Sequence, residues 1–154
     1  MKINLKALVI SLAIPLGVGG LSALLTMENM KIFGELDKPP LSPPALLFPI
    51  VWTLLYALMG IALYRVYMKG GSTATRAYLL FGAQLFFNFL WSIIFFNLEW
   101  YGIAFVWLLV LLALIIATAI EFYRVDRAAG IMMIPYIVWV VFAGYLNLGI
   151  AVLN

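Results

Sequence analysis

Charged residues divide the chain into long uncharged runs. The runs span 7–27, 39–64, 77–98, 100–120 and 128–154, and each has at least 21 residues. A transmembrane helix needs roughly 20 apolar residues to cross the hydrocarbon core of a bilayer. The pattern therefore predicts an all-α integral membrane protein in which one domain, 1–154, is a bundle of five transmembrane helices.

Polar residues at the ends of the runs set the helix boundaries, which we place at about 7–27, 46–68, 77–97, 100–121 and 129–153. Lys2 and Lys6 precede the first run as in a signal peptide, but its apolar stretch is long and lacks a clear small-residue cleavage site, so we interpret it as a span. The fourth run is largely aliphatic and is broken by Trp107 and Thr118. We interpret it as lipid-facing scaffold.

The segment 28–45 is the longest polar stretch. Its four prolines fix φ and remove backbone donors, which favours a rigid extended strap over a helix; they are Pro39, Pro40, Pro43 and Pro44. Such a strap suits either a linker or a lid over one end of the bundle, and we assign it as a lid.

Composition and charge agree with a membrane location. The chain is 67% hydrophobic and 10% charged, against about 45–50% and 25% in soluble domains. Seven of the nine Lys and Arg residues lie at the N-terminus and in the 65–76 and 121–127 loops. Because cytoplasmic loops are enriched in Lys and Arg, this predicts a cytoplasmic N-terminus and an outside C-terminus.

Several chemistries are excluded. The chain contains no Cys and no His, so disulfides, thiolate or imidazole metal ligands, and Cys–His or Ser–His–Asp catalysis are ruled out, and we predict no metal site. No basic cluster is dense enough for nucleic acid. The spans carry no ionisable group of the kind that proton-coupled pumps use, and no internal repeat is evident.

A polar stripe runs along the third predicted helix. Gln84, Asn88 and Ser92 recur at a spacing of four, which places them on one helical face. Such groups hold helices together by hydrogen bonds, line a water path, or orient a molecule in an apolar pocket. Aromatic residues accompany them on three helices and would stack on a flat hydrophobic ligand: Trp52, Tyr56, Trp91, Tyr136 and Trp139.

Three segments together resemble the translocator protein family, also called tryptophan-rich sensory protein or peripheral-type benzodiazepine receptor, in a bacterial member. They read "LDKPPLSPPALLFPIVWTLLYALMG" (36–60), "GAQLFFNFLWSIIFF" (82–96) and "PYIVWVVFAGYLN" (135–147). Where relatives carry loop aromatics, this chain has Ile32, Phe33 and Leu41, so those loop contacts are not expected. The C-terminal cholesterol motif of animal members is absent, so cholesterol binding through that motif is not predicted.

The resemblance implies a five-helix bundle, often a homodimer, with a pocket beneath the first loop. The pocket would bind porphyrins and isoquinoline carboxamide or benzodiazepine-type ligands. Its expected ligand-binding residues are Ser22, Ala23, Lys38, Pro39, Pro40, Trp52, Tyr56, Asn88, Trp91, Trp139, Phe142, Ala143 and Leu146. The family is also associated with light- and oxygen-dependent breakdown of protoporphyrin, a catalytic role that would fall to Trp52 and Trp139.

These observations leave more than one function open. The first hypothesis is a receptor or sensor for tetrapyrroles in a bacterial cell membrane. It requires no cofactor, since porphyrin would be ligand or substrate, and its partners would be hydrophobic small molecules, the lipid bilayer and a second copy. The alternative is a transporter of porphyrin or another hydrophobic molecule. A third hypothesis is a structural bundle in which the polar stripe only joins helices.

Overall fold

The computed structural model describes residues 2–154, and within that range five helical segments are long and apolar enough to cross a membrane. Helix α1 spans Leu5–Thr26, and the short α2 spans Met30–Phe33. Helix α3, Leu47–Gly70, continues into a 3₁₀ turn at Gly71–Thr73. Helix α4, Thr75–Ser92, continues into a π-helical turn at Ile93–Asn97. The remaining helices are α5, Tyr101–Val125, α6, Arg127–Met132, and α7, Ile134–Leu153. The predicted five-helix membrane fold is confirmed.

The spans close into a ring. Helix α1 packs against α3 and α4, α3 packs against α6, and α5 packs against α4, α6 and α7. Around the bundle the order is therefore α1, α3, α6 with α7, α5 and α4. This order brings residues of α3, α4 and α7, which are distant in sequence, to one interior.

The fifth span is divided between α6 and α7. The break falls at Met133, and Pro135 lies in the first turn of α7, where its missing N–H leaves no hydrogen bond unmade. At the start of α6 the side chain of Asp126 accepts a hydrogen bond from the Ala129 N–H at 3.1 Å. The predicted helix at 129–153 is thus two helices that share one span.

Helix α5 packs against α4, α6 and α7 along one face and is exposed elsewhere, so the prediction of a lipid-facing scaffold describes only part of its surface. Its buried residues recur at helical spacing along one face: Ala104, Leu108, Leu111, Ile115, Thr118 and Phe122. In a membrane the lipid and the bundle interior are both apolar. Because α5 is apolar on all sides, hydropathy alone does not show which of its faces packs against the other helices.

Small residues bring α1 close to α3. A Cβ atom added at Gly60 would lie 2.7 Å from Leu12 Cα, and one added at Gly19 would lie 2.5 Å from the ring of Tyr56. Close backbone approach at glycine is a common way for helices to pack where no hydrophobic effect drives association. Gly19 thereby fixes α1 against an aromatic side chain of the bundle interior.

The 28–45 segment is partly helical, so the prediction of an extended strap was wrong at its start. Residues 30–33 form α2, while the proline-rich part that follows contains turns and no helix. The segment is tied to α7. The Tyr145 hydroxyl donates to Pro40 O at 2.6 Å, and Asn154 exchanges hydrogen bonds with the backbone of Asp37.

Candidate ligand-binding site

A group of four aromatic rings fills the space between α3 and α7, and we call it the ring cluster: Trp52, Tyr56, Tyr136 and Trp139. The Trp52 ring stacks on Tyr56 with centroids 5.6 Å apart. It meets Tyr136 and Trp139 edge-on, at 6.2 and 6.5 Å. Residues three or four apart share a helical face, so each helix contributes two neighbouring rings. Sequence reasoning paired the two tryptophans, and the structure brings them together.

Trp139 extends the ring cluster toward the lid and along α7. Its ring lies 5.8 Å from that of Phe48 and 5.6 Å from that of Phe142. Its indole Nε1 is buried and, within residues 2–154, is the one such side-chain N or O atom with no hydrogen-bond partner. A buried donor without an acceptor costs roughly 1–3 kcal/mol.

A chain of hydrogen bonds borders the ring cluster on α4. The Tyr56 hydroxyl donates to Asn88 Oδ1, Asn88 Nδ2 donates to the Tyr136 hydroxyl, and the Tyr136 hydroxyl donates to Gln84 Oε1, each at 2.7 Å. We call these four residues the tyrosine–amide chain. It joins α3, α4 and α7 in a region where all four side chains are buried.

The last member of the polar stripe differs from the other two. Gln84 is 0% exposed and Asn88 is 1% exposed, whereas Ser92 is only partly buried. Ser92 also stands where α4 passes into its π-helical turn. The stripe therefore contributes two amides to the tyrosine–amide chain, not three polar groups.

Trp91 belongs to a second polar connection, one turn beyond Asn88. Its indole N–H donates to Asn147 Oδ1 at 3.0 Å, and Asn147 Nδ2 donates to the Tyr101 carbonyl at 2.8 Å. Its ring stacks on Phe95 at 5.2 Å. Trp91 thus links α4, α7 and the start of α5, and its N–H is already satisfied.

The expected ligand-binding residues of α1 and α7 differ in their burial. Ser22 is buried one turn beyond Gly19, while Ala23 is exposed on the outer face of α1. On α7, Ala143 and Leu146 are buried at 7% and 5% exposure. Ala23 is therefore the one helical site residue that the structure turns away from the bundle interior.

The lid residues form their own contacts. Pro39 is buried against Gly149 of α7, and Pro40 is exposed but accepts the hydrogen bond from Tyr145. Lys38 Nζ lies 3.3 Å from the carbonyls of Gly34 and Leu36. It also lies 4.9 Å from the centre of the Phe33 ring, a distance at which a cation is attracted to the ring face.

Phe33 supplies loop aromatic contacts that the sequence analysis did not expect. Its ring meets those of Phe48, Phe95 and Phe96 at 5.6, 6.1 and 5.9 Å. The sequence comparison considered only residue types at matching loop positions, which do not show which rings Phe33 contacts. A single phenylalanine placed by α2 reaches α3 and the end of α4 together.

Tyr136 and Gly19 are site-forming residues that the expected set omits. Tyr136 is 1% exposed and takes part both in the ring cluster and in the tyrosine–amide chain. Its four-residue spacing to Val140 and its three-residue spacing to Trp139 mark the same face of α7. Gly19 is one of several small residues in the α1 sequence, but its contact with Tyr56 depends on the helix order.

Two apolar grooves open on the outside of the bundle. One, of about 340 Å³, lies between α5 and α7, and another, of about 260 Å³, lies between α1 and α4. None of the expected site residues lines either groove. The ring cluster combines one stacked pair of rings, one unpartnered indole donor and two hydrogen-bonded amides in one part of the bundle interior.

Together these features define an integral, multi-pass membrane protein: a five-helix bundle with an aromatic interior and a proline-rich segment hydrogen-bonded to α7. The chain belongs to the TspO/MBR family, whose sequence profile matches residues 11–153. It is 35% identical to a Tryptophan-rich protein TspO of Archaeoglobus fulgidus over 98% of this chain and 99% of that one. It is 36% identical to a Tryptophan-rich sensory protein of Cereibacter sphaeroides (75% and 72%) and 32% identical to a Translocator protein of Bos taurus (78% and 73%).

Proposed function

We propose that the protein is a membrane receptor or sensor that binds a tetrapyrrole, protoporphyrin or a haem-related molecule, at the ring cluster. The observation that carries the proposal is the unpartnered indole N–H of Trp139, buried where the Trp139 ring meets those of Trp52 and Phe48 edge-on. A flat ligand with a hydrogen-bond acceptor would supply what this donor lacks while stacking on the ring faces. The sensory name of a relative at 36% identity supports the same class of function.

Binding requires the rings to separate, because they fill the space between α3 and α7. The tyrosine–amide chain holds Tyr56 and Tyr136 from α4, so we assign the movement to Trp52 and Trp139. Lys38 in the lid carries a charge over the ring of Phe33, which in turn meets the ring of Phe48. It would pair with a propionate once the ligand displaces it from the two carbonyls that it now contacts.

The same site would accept isoquinoline carboxamide or benzodiazepine-type molecules, which combine flat rings with a carbonyl acceptor. We place the N-terminus in the cytoplasm of a bacterial cell and propose a homodimer, in line with the Lys and Arg distribution and the family. No resident cofactor is part of this proposal. Under light, the tryptophans would donate an electron to bound, photoexcited protoporphyrin, which would pass it to dioxygen, and the superoxide so formed would be the oxidant for porphyrin breakdown.

The test is a titration of the reconstituted protein with protoporphyrin IX in the dark, followed by quenching of tryptophan fluorescence. Trp139→Phe should weaken affinity about tenfold, since it removes a donor and a larger ring face, together worth about 1.4 kcal/mol. Trp100→Phe is the matched control, because Trp100 is 52% exposed and lies outside the ring cluster. Equal affinity in the wild type and Trp139→Phe would contradict the proposed site.

A second measurement isolates the donor. Benzothienylalanine at position 139 keeps a fused bicyclic ring and replaces the N–H by sulfur. If the N–H binds the ligand, this analogue should weaken protoporphyrin binding while leaving stacking intact. For the photochemical part, Trp52→Phe and Trp139→Phe should stop the light-dependent loss of porphyrin absorbance while binding in the dark stays measurable. Equal loss in all three proteins would indicate bulk photochemistry.

A further inference from the structure

A line of aromatic rings leads from the ring cluster to the surface along one face of α7. Trp139 lies 5.6 Å from Phe142, and Phe142 stacks on Tyr145 at 6.2 Å with an interplanar angle of 26°. The three residues are spaced by three, and Tyr145 stands about 9 Å farther along the helix axis than Trp139, at 1.5 Å per residue. Tyr145 is 42% exposed.

We propose that Tyr145 is a redox-active residue that returns an electron to Trp139 and Trp52 after either has been oxidised. The proposal rests on the photochemical part of the proposed function and adds to it the route by which the oxidising equivalent leaves the bundle. Tyrosine and tryptophan have accessible one-electron oxidation chemistry, whereas phenylalanine does not. Phe142 is therefore not oxidised itself, and its ring fills the gap through which the electron passes from Tyr145 to Trp139.

The proposed chemistry consists of four transfers. Photoexcited porphyrin takes one electron from Trp52 or Trp139 and passes it to dioxygen, which becomes superoxide. The oxidised indole takes one electron from Tyr145, whose phenol releases its proton to water and becomes a neutral tyrosyl radical. A water-soluble reductant of the ascorbate class then gives a hydrogen atom to that radical, so the phenol is restored and the reductant is oxidised by one electron.

Proton release explains why Tyr145 is chosen over the nearer tyrosines. Oxidation of a phenol makes its proton strongly acidic, so a neutral radical forms only where the proton has somewhere to go. Tyr56 and Tyr136 are 7% and 1% exposed, and their hydroxyls donate to the amide oxygens of Asn88 and Gln84. Amide oxygens are too weakly basic to take that proton, and both phenols are buried away from bulk water.

Tyr145 has a route for its proton. Its hydroxyl donates to Pro40 O in the lid through an exposed hydrogen bond of 2.6 Å. Because Pro40 belongs to the segment that lies outside the five spans, this contact places the hydroxyl at the edge of the bundle, where water can replace the carbonyl as the proton acceptor. The lid contact also holds the phenol in place at the end of the ring line, so loss of the hydroxyl removes both the donor and its anchor without removing the ring.

The experiment compares wild type, Tyr145→Phe and Tyr67→Phe in nanodiscs. Tyr67 is a control of matched exposure, 47%, near the opposite end of α3 from the lid. In the first arm, protein with protoporphyrin IX is illuminated in air, frozen and measured by electron paramagnetic resonance. Wild type and Tyr67→Phe should show a tyrosyl signal, and Tyr145→Phe should lose most of it and accumulate oxidised tryptophan at positions 52 and 139 by mass spectrometry.

The second arm needs no porphyrin. An ultraviolet laser pulse photoionises tryptophan in the ligand-free protein, and transient absorption follows the decay of the tryptophan radical into a tyrosyl radical. That conversion should be reduced in Tyr145→Phe alone. If Tyr145→Phe changes the radical decay in the second arm but the tyrosyl signal is absent from the first arm, electron transfer from Tyr145 to tryptophan would be supported and the porphyrin chemistry rejected. Identical decay in all three proteins would overturn the route, whatever the first arm shows.

Discussion

Asn88 Nδ2 donates a hydrogen bond to the Tyr136 hydroxyl, and the two heavy atoms lie 2.7 Å apart. The same side chain accepts from the Tyr56 hydroxyl at 2.7 Å. One amide therefore connects α4 to α3 and to α7 in the middle of the bundle. The ring cluster stands on this connection, since two of its four rings are the tyrosines that Asn88 holds.

Replacing Asn88 by leucine should destabilise the bundle. It leaves the Tyr56 hydroxyl without its acceptor and removes a donor to Tyr136, and interhelical hydrogen bonds in membranes contribute roughly 0.6–2 kcal/mol each. We expect Asn88→Leu to lower the free energy of unfolding by about 1–4 kcal/mol, as measured by titration with a denaturing detergent. Ser92→Ala, on the same stripe, should change it by less than about 0.5 kcal/mol. Equal effects of the two changes would contradict this assignment.

The polar stripe on α4 shows which features of the site can be predicted from the sequence. A spacing of four placed Gln84 and Asn88 on one face correctly, because helical periodicity is local. Their shared partner, Tyr136, depends on which helices are neighbours, and apolar patterning does not determine that order when lipid and interior are equally apolar. The same ambiguity hid the buried face of α5.

The pairing of Trp52 with Trp139 was easier to predict than the contacts that surround the two rings. Trp52 and Trp139 stand out as large rings on two amphipathic stripes, and the structure places them 6.5 Å apart. The N–H of Trp139 is free because no acceptor lies within reach in the folded protein, and no sequence motif predicts that. Likewise, the contact of Gly19 with Tyr56 follows from the three-dimensional approach of α1, although the small residue itself was visible.

Adding a methyl group at Gly19 should disturb the ring cluster from outside. A Cβ there would lie 2.5 Å from the Tyr56 ring, whereas a Cβ at Gly20 meets nothing within 4 Å. Overpacking of this kind typically costs about 1–3 kcal/mol. Gly19→Ala should therefore reduce stability by that amount and weaken protoporphyrin binding in the dark. Gly20→Ala carries the same gain in helix propensity and should leave both measurements near wild type.

If instead Gly19→Ala kept wild-type stability and affinity, α1 would have to shift without cost. That result would show that the approach of α1 to Tyr56 is not a constraint on the site.

The lid should loosen when Gly149 is enlarged. A Cβ at Gly149 would lie 2.6 Å from Pro39 Cβ, so Gly149→Ala must push Pro39 outward or move the end of α7. We expect faster amide hydrogen exchange across residues 30–45, measured by mass spectrometry, with little change in α4 or α5. Gly102→Ala is the control at the start of α5, where an added Cβ meets nothing within 4 Å. Unchanged exchange in the lid would mean that Pro39 does not depend on this contact.

Asp126 joins three helix ends through a buried carboxylate. Arg65 Nε lies 2.6 Å and Lys69 Nζ 2.9 Å from its oxygens, and its own side chain is 2% exposed. Burial of the carboxylate would raise its pKa, but the hydrogen bonds from Arg65, Lys69 and the Ala129 N–H outweigh burial, and the net effect lowers the pKa of Asp126. The position was visible in the sequence only as one charge in a loop.

Because the pKa of Asp126 is lower in the folded than in the unfolded chain, ionised Asp126 stabilises the fold. That contribution is complete above the unfolded value of about 3.9 and is lost as pH falls through the lower, folded value. Asp126→Asn should therefore cost about 1–3 kcal/mol at neutral pH, less than a fully buried pair because Arg65 and Lys69 retain 40% and 49% side-chain exposure. The difference in unfolding free energy between wild type and Asp126→Asn, measured from pH 7 downward, should stay constant to about pH 4 and then shrink.

Glu121→Gln, which removes a partly exposed carboxylate near Arg124, should show a much smaller difference at pH 7. A constant gap between wild type and Asp126→Asn down through the acid range would show that the carboxylate's charge does not hold these helix ends together.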